Sequence, residues 1–97
     1  NKAEHLGEIF RNKLNKYIEN SSLVKLVRGK GLLNAIEINS DEDASTGWDI
    51  CMRLKENGLL AKPTHGNKIR FAPPLIISEK QLLECVDIIT QTLKEFE

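Results

Sequence analysis

The sequence predicts an α+β fold in which helices cover one face of a small, largely antiparallel sheet, in the order α-β-β-α-β-β-α. Apolar residues that recur every three or four positions indicate helices. Short apolar runs bounded by glycine, proline and polar residues indicate strands. Helices interspersed with short strands along one chain are typical of a helical layer on a sheet. The 97 residues are enough for a single domain with a thin core.

The first helix is predicted over residues 3–19. Leu6, Phe10 and Leu14 recur at helical spacing, and the polar residues that follow position 19 end the helix.

Two strands are predicted next, at 23–28 and 32–38. The intervening Gly29–Gly31 segment favours a hairpin or a bulge, because glycine permits tight backbone geometry. The acidic segment 39–45 is interpreted as a solvated loop.

A second helix is predicted over 46–57, with Gly58 at the position of a C-terminal cap. We expect its apolar side to consist of four residues. They are Trp48, Cys51, Met52 and Leu54.

The last third of the chain is predicted to contain a strand at 59–62, a turn at 63–67 and a strand at 68–71. Pro73-Pro74 ends the last strand, because proline cannot donate to a sheet ladder. Ser78 and Gln81 have the spacing of a capping box and predict the start of the final helix.

Charge and composition limit the kinds of partner. Fourteen basic and 14 acidic residues give a formal net charge of zero, whereas nucleic acids and anionic membranes select a basic surplus. A membrane helix needs about 20 consecutive apolar residues, and no apolar run in the sequence approaches that length. Because the chain begins with asparagine and lacks a signal-peptide core, we expect residues 1–97 to be one domain of a longer protein.

Few residues suggest chemistry from their position alone. Cys51 and Cys85 form no Cys/His cluster, so we expect no metal site and two reduced, buried thiols, with a disulfide left open. The Gly29–Gly31 segment lacks P-loop spacing, and a tight turn explains it better than phosphate binding. His5 and His65 have no partner at motif spacing and are interpreted as surface or turn residues.

Arg70 is the one candidate for a binding site. A short strand that ends in a diproline turn fixes the direction of its side chain, and a guanidinium held in this way suits a carboxylate. From position alone, an exposed surface ion pair remains the simpler interpretation.

Three segments resemble the class III aminotransferases, which are PLP-dependent enzymes of fold type I. They are 27–36 (VRGKGLLNAI), 57–66 (NGLLAKPTHG) and 69–75 (IRFAPPL). The first and third are shared widely in the family, whereas the second and third together are similar to the branch that acts on ornithine. The resemblance extends over essentially the whole chain and identifies it as the small C-terminal domain of such an enzyme.

The resemblance implies a function for the longer protein. A large domain outside these residues would hold pyridoxal 5'-phosphate on a lysine, and the δ-amine of L-ornithine would pass to 2-oxoglutarate, giving glutamate 5-semialdehyde and glutamate. Arg70 would bind the α-carboxylate of the keto acid or of glutamate, and a large-domain glutamate would mask Arg70 in the ornithine half-reaction. The 97 residues would supply no catalytic, cofactor-binding or metal-binding residue, so the isolated chain is expected to be inactive.

The same resemblance implies that the large PLP domain of the same chain is the partner of this domain. It also implies a homodimer or a larger assembly, in the mitochondrial matrix or the cytoplasm. Two other functions remain open. The chain could be the small domain of an acetylornithine or 4-aminobutyrate aminotransferase, or a free-standing α+β module that binds a small molecule.

Overall fold

A four-stranded antiparallel sheet with the strand order β1-β2-β4-β3 organises the computed structural model. The structure describes residues 2–41, 44–64, 67–71 and 77–97. The elements are α1 (Lys2–Ile18), β1 (Val24–Lys30), β2 (Leu33–Ile38), α2 (Thr46–Glu56), β3 (Lys62–Thr64), β4 (Lys68–Phe71) and α3 (Glu79–Lys94).

Helices α1 and α2 pack on the sheet and α3 packs on them, which confirms the predicted α+β fold class. Helix α1 contacts β1, and α2 contacts β3 and β4, while α3 packs against both helices. Alternate strand residues point into the core, so Ile36, Ile38 and Ile69 are almost completely buried. The Phe10 ring of α1 meets the Phe71 ring of β4 edge to face, with centroids 5.9 Å apart.

The predicted hairpin is present, with β1 longer than expected. Its strands pair as far as Lys30 and Leu33, so Gly31 and Leu32 form a two-residue turn. Gly31 has φ +58°, a left-handed conformation that glycine adopts without a steric penalty. The register also shifts between Val24 and Leu26, which marks a bulge near the start of β1.

Hydrogen bonds from two side chains of α1 hold the tip of this hairpin. Arg11 Nη1 donates to the carbonyl of Gly31 at 3.1 Å and to Asn34 Oδ1 at 2.7 Å. Glu4 accepts from the backbone N–H of Gly31 at 3.1 Å and pairs with Arg11 at 3.3 Å. At Gly7, an added Cβ would lie 1.8 Å from the Gly31 oxygen, so the helix and the hairpin approach as closely as a glycine permits.

The second strand pair differs from the prediction. A strand was expected at 59–62 with a turn at 63–67, but β3 spans Lys62–Thr64. This strand contains Pro63, and it lies at the edge of the sheet, where proline is tolerated. Gly58 ends α2 with φ +98°, as expected for a C-terminal cap.

The expected apolar side of α2 was partly wrong. Cys51 and Leu54 are buried together with Ile50, but the side chains of Trp48 and Met52 are 58% and 39% exposed. Helical periodicity explains the difference, because positions 47, 50, 51 and 54 share one face of α2 whereas 48 and 52 lie on another.

The capping box at the start of α3 is confirmed. Ser78 accepts from the backbone N–H of Gln81, and the Gln81 side chain accepts from the backbone N–H of Ser78. None of the helices in the described ranges is long and apolar enough to cross a membrane. The predictions for His65, for Pro73-Pro74 and for the middle of the acidic loop fall on residues outside those ranges.

Candidate functional site

The sheet face opposite the helices is rich in basic side chains. Residues that alternate with the core positions point to this open face, which therefore carries the basic residues of β1, β3 and β4. The chain as a whole has no net charge, so this face is a local concentration of positive charge. The register places Arg28, Lys30, Lys62, Lys68, Arg70 and the acid Glu37 on this face, and Lys25 at the bulge of β1 lies 4.0 Å from Glu37.

One row of side chains crosses all four strands of this face. The register pairs Arg28 with Ala35, Ala35 with Arg70, and Arg70 with Lys62. Neighbouring strands lie about 4.8 Å apart, so the backbones of Arg28 and Arg70 are about 10 Å apart and Lys62 directly adjoins Arg70. Small Ala35 separates the two arginines. We call Arg28, Arg70 and Lys62 the cationic row.

The cationic row borders an open cleft of about 700 Å³. Apolar Leu33 and Leu60 also line it, and their side chains are 70% and 77% exposed. The remaining lining residues come from the hairpin, the segment before β3 and the end of β4. They are Gly29, Lys30, Asn34, Ala35, Ala61 and Phe71.

Arg70 lies at the centre of this site. Its neighbours Ile69 and Phe71 are buried in the core, so the backbone that carries Arg70 is fixed while its side chain is exposed above the cleft. Within the described ranges, no ion pair shorter than 4.0 Å involves Arg70, Arg28 or Lys62. The guanidinium therefore presents its planar set of donors to the cleft, in a form suited to a carboxylate. Whether Arg70 binds a substrate carboxylate stays a prediction.

That this chain supplies no residue to a pyridoxal phosphate site stays a prediction, and the setting of its lysines and of its hairpin turn bears on it. A lysine that carries such a cofactor needs an enclosed, desolvated setting, but every lysine of the chain is exposed or half-exposed. The backbone N–H of Gly31 already donates to Glu4, so the hairpin turn does not offer it to a phosphate. This contact agrees with a hairpin turn at Gly31 and Leu32, whereas Gly29 and Lys30 of the predicted connection belong to β1.

Residues with shifted pKa values lie away from the cleft. Burial raises the pKa of Cys51 to about 11, and burial, with a smaller contribution from Glu84, raises the pKa of Cys85. Burial and a hydrogen bond to Glu97 raise the pKa of Tyr17, which lies near the end of α1. These residues are interpreted as structural.

The other sequence candidates are separate from the site. His5 is exposed on α1, which lies on the helical side of the sheet. Cys51 is buried and Cys85 half-buried, and both are free thiols, so only Cys51 matches the expected burial. The residues that the structure describes include no group of three potential metal ligands among His, Cys, Asp and Glu.

The amino-acid sequence of this α+β domain matches a known protein family. A family model described as "Aminotransferase class-III" matches residues 1–93, and the chain belongs to this family. Members of the class are PLP-dependent transaminases.

Within this family, the chain is similar to enzymes named ornithine aminotransferase. The chain is 57% identical over 91 residues to the mitochondrial ornithine aminotransferase of Drosophila melanogaster, covering 94% of this chain and 20% of the relative. It is 51% identical over 94 residues to the mitochondrial ornithine aminotransferase of Rattus norvegicus, covering 97% and 21%. The chain thus spans about a fifth of the length of these relatives.

Solved structures agree on the fold. The crystal structure of an acetylornithine aminotransferase from Elizabethkingia anophelis superposes with a TM-score of 0.95 at 62% identity, covering 98% of this chain and 24% of the other. An ornithine aminotransferase from Plasmodium yoelii gives a TM-score of 0.90 at 46% identity, covering 99% and 25%.

Sequence reasoning singled out Arg70 but missed its companions Arg28 and Lys62. The alternation of strand residues could have placed Arg28 and Arg70 on one face. The register that aligns them with Lys62 could not be obtained, because the predicted bounds of β3 were wrong.

Proposed function

We propose that this chain is the C-terminal domain of a PLP-dependent aminotransferase that transfers the δ-amine of L-ornithine to 2-oxoglutarate. The proposal rests above all on Arg70, which stands in a cationic row on the uncovered face of a class III aminotransferase domain. Relatives that are 44–57% identical carry the name ornithine aminotransferase, which supports ornithine as the amine donor.

In this proposal Arg70 binds the carboxylate next to the reacting carbon of 2-oxoglutarate or glutamate. A carboxylate that leaves water needs a charged partner, and the guanidinium of Arg70 can supply two parallel hydrogen bonds. Losing one partner of such a pair typically costs about 2–5 kcal/mol. In the ornithine half-reaction, a glutamate of the large domain would pair with Arg70 and keep it from the substrate.

The open sheet face would lie against the large domain of the same chain and help close the active site. Leu33 and Leu60 support this arrangement, because large apolar side chains that are mostly exposed are typical of a surface covered by a partner. The large domain would bind pyridoxal phosphate, which supplies the amine-carrier chemistry, whereas this domain positions the substrate. A homodimer or larger assembly is part of the proposal.

The names of the relatives support a mitochondrial location, although a cytoplasmic one stays within the proposal.

A second candidate donor is N-acetylornithine. The 62% identity to an acetylornithine aminotransferase structure favours it, since that identity exceeds the 57% to the Drosophila ornithine enzyme. Both donors carry a primary amine at the end of the side chain, and the proposal keeps 2-oxoglutarate as the acceptor for either. The proposed role of Arg70 is therefore the same in both.

A substrate panel tests the proposal. The full-length enzyme is supplied with 2-oxoglutarate and with L-ornithine, N-acetylornithine or 4-aminobutyrate, and kcat/KM is measured for each donor. The proposal expects the highest value with L-ornithine. A preference for N-acetylornithine would establish the second candidate, and no amine transfer to 2-oxoglutarate from any donor would contradict both.

A further inference from the structure

We propose that Arg28 and Lys62 set the substrate preference of the cleft by charge, attracting the dianionic keto acid and repelling the cationic amine donor. This inference rests on the proposed function and extends it to two residues beside Arg70. The cationic row brings the backbones of Lys62 and Arg28 within about 5 and 10 Å of the Arg70 backbone, along a single line of the open face.

Within this domain, the pairing of Lys62 with Arg70 is electrostatically unfavourable, which favours a role for these charges beyond the stability of the sheet. Lys62 and Arg70 face each other directly across the β3–β4 ladder, and like charges in that position destabilise a sheet. Among the described residues, neither forms an ion pair that would offset the repulsion. In contrast, Glu37 of the same face has a basic partner in Lys25 at 4.0 Å.

The two substrates of the proposed reaction respond to this row in opposite ways. At neutral pH 2-oxoglutarate carries two negative charges, whereas ornithine carries two ammonium groups and one carboxylate and is a net cation. A positive potential at the cleft raises the local concentration of the first and lowers that of the second. Removing one positive charge should therefore weaken keto-acid capture and leave ornithine capture unchanged or improved.

The size of the change in kcat/KM follows from the distance between the removed charge and the bound keto acid. A unit charge about 10 Å from a dianion in a water-like medium changes kcat/KM by about two- to fivefold at low salt. The effect should shrink towards onefold at ionic strengths near ~0.5 M, where the Debye length falls to about 4 Å. For ornithine, the change should be about twofold or less and in the opposite direction.

The test uses the full-length enzyme carrying Lys62→Gln, Arg28→Gln or both. The rate constant kcat/KM is measured separately for the 2-oxoglutarate and ornithine half-reactions, at ~0.01 M and ~0.5 M ionic strength. Lys13→Gln is the matched control, because Lys13 is an exposed lysine of α1 on the helical side of the sheet. The expected result is a salt-sensitive loss for the keto acid in the two row variants, without a loss for ornithine, and no change in the control.

Three outcomes would overturn the proposal. Equal losses for both substrates together with a lower melting temperature would indicate that the row forms ion pairs with the large domain. Keto-acid rates equal to those of the wild type at low salt would show that Arg28 and Lys62 do not act on capture. The same loss in Lys13→Gln would show that the effect comes from the net charge of the protein and not from the cationic row. Failure of the wild type to exchange amine between ornithine and 2-oxoglutarate would instead contradict the proposed function.

Discussion

Replacing Gly7 by alanine tests how closely α1 approaches the hairpin. In an ordinary helix interior this change stabilises by about 1 kcal/mol, because alanine loses less backbone entropy than glycine. Here the new Cβ would lie 1.8 Å from the Gly31 oxygen and 2.6 Å from its carbonyl carbon. The hairpin tip would have to move by about 1 Å or more to reach ordinary contact, at an overpacking cost of about 1–3 kcal/mol.

That movement would also disturb the hydrogen bonds that Gly31 makes with Arg11 and Glu4, each 3.1 Å long. Each is worth about 1 kcal/mol, so we expect a net loss of about 2 kcal/mol or more. Urea unfolding of the 97-residue chain measures the change, and Glu8→Ala, at an exposed position on the same helix, should stay within about 0.5 kcal/mol of wild type. A Gly7→Ala chain as stable as wild type would refute the close approach.

Two further predictions concern shifted pKa values. Burial acts to raise the pKa of Glu97, but hydrogen bonds from Ser21, Tyr17, Ser22 and the Leu23 N–H outweigh it and lower the pKa. Glu97→Gln should therefore reduce the free energy of unfolding at pH 7. Its difference from wild type should be lost as the pH falls through the lowered pKa of Glu97 and the carboxylate is protonated. A difference independent of pH would contradict this. Because burial raises the pKa of Cys51 to about 11, its thiol should react slowly with a disulfide reagent at pH 8 and quickly after denaturation. Fast reaction of Cys51 in the folded chain would show that it is accessible.

The sequence was sufficient for the order and class of the elements. Periodicity located α1 and α3, and the Ser78–Gln81 pair located the start of α3 within one residue. These features are local, so they can be read without knowing what packs against them. Trp48 was misplaced because a large apolar residue near a buried face was assumed to belong to that face.

The site could be predicted only in part, because it depends on pairing between distant strands. Arg70 could be singled out from its short strand. Its alignment with Arg28 and Lys62 requires the register across β1, β2, β4 and β3, in which β2 pairs with β4 residues more than 30 positions away. The position of β3 itself depends on its place at the edge of the sheet, where Pro63 is tolerated.

The measurement that tests the account most directly compares the two half-reactions in full-length enzyme carrying Arg70→Ala or Arg70→Lys. Single-turnover rates with 2-oxoglutarate and with ornithine are recorded separately from the change in cofactor absorbance. We expect Arg70→Ala to slow the keto-acid half by roughly 30-fold to several thousand-fold, and the ornithine half by much less. Arg70→Lys should recover part of the rate, since an ammonium cannot form the paired hydrogen bonds of a guanidinium. Equal slowing of both halves, or of neither, would contradict the assignment of Arg70 as the carboxylate anchor.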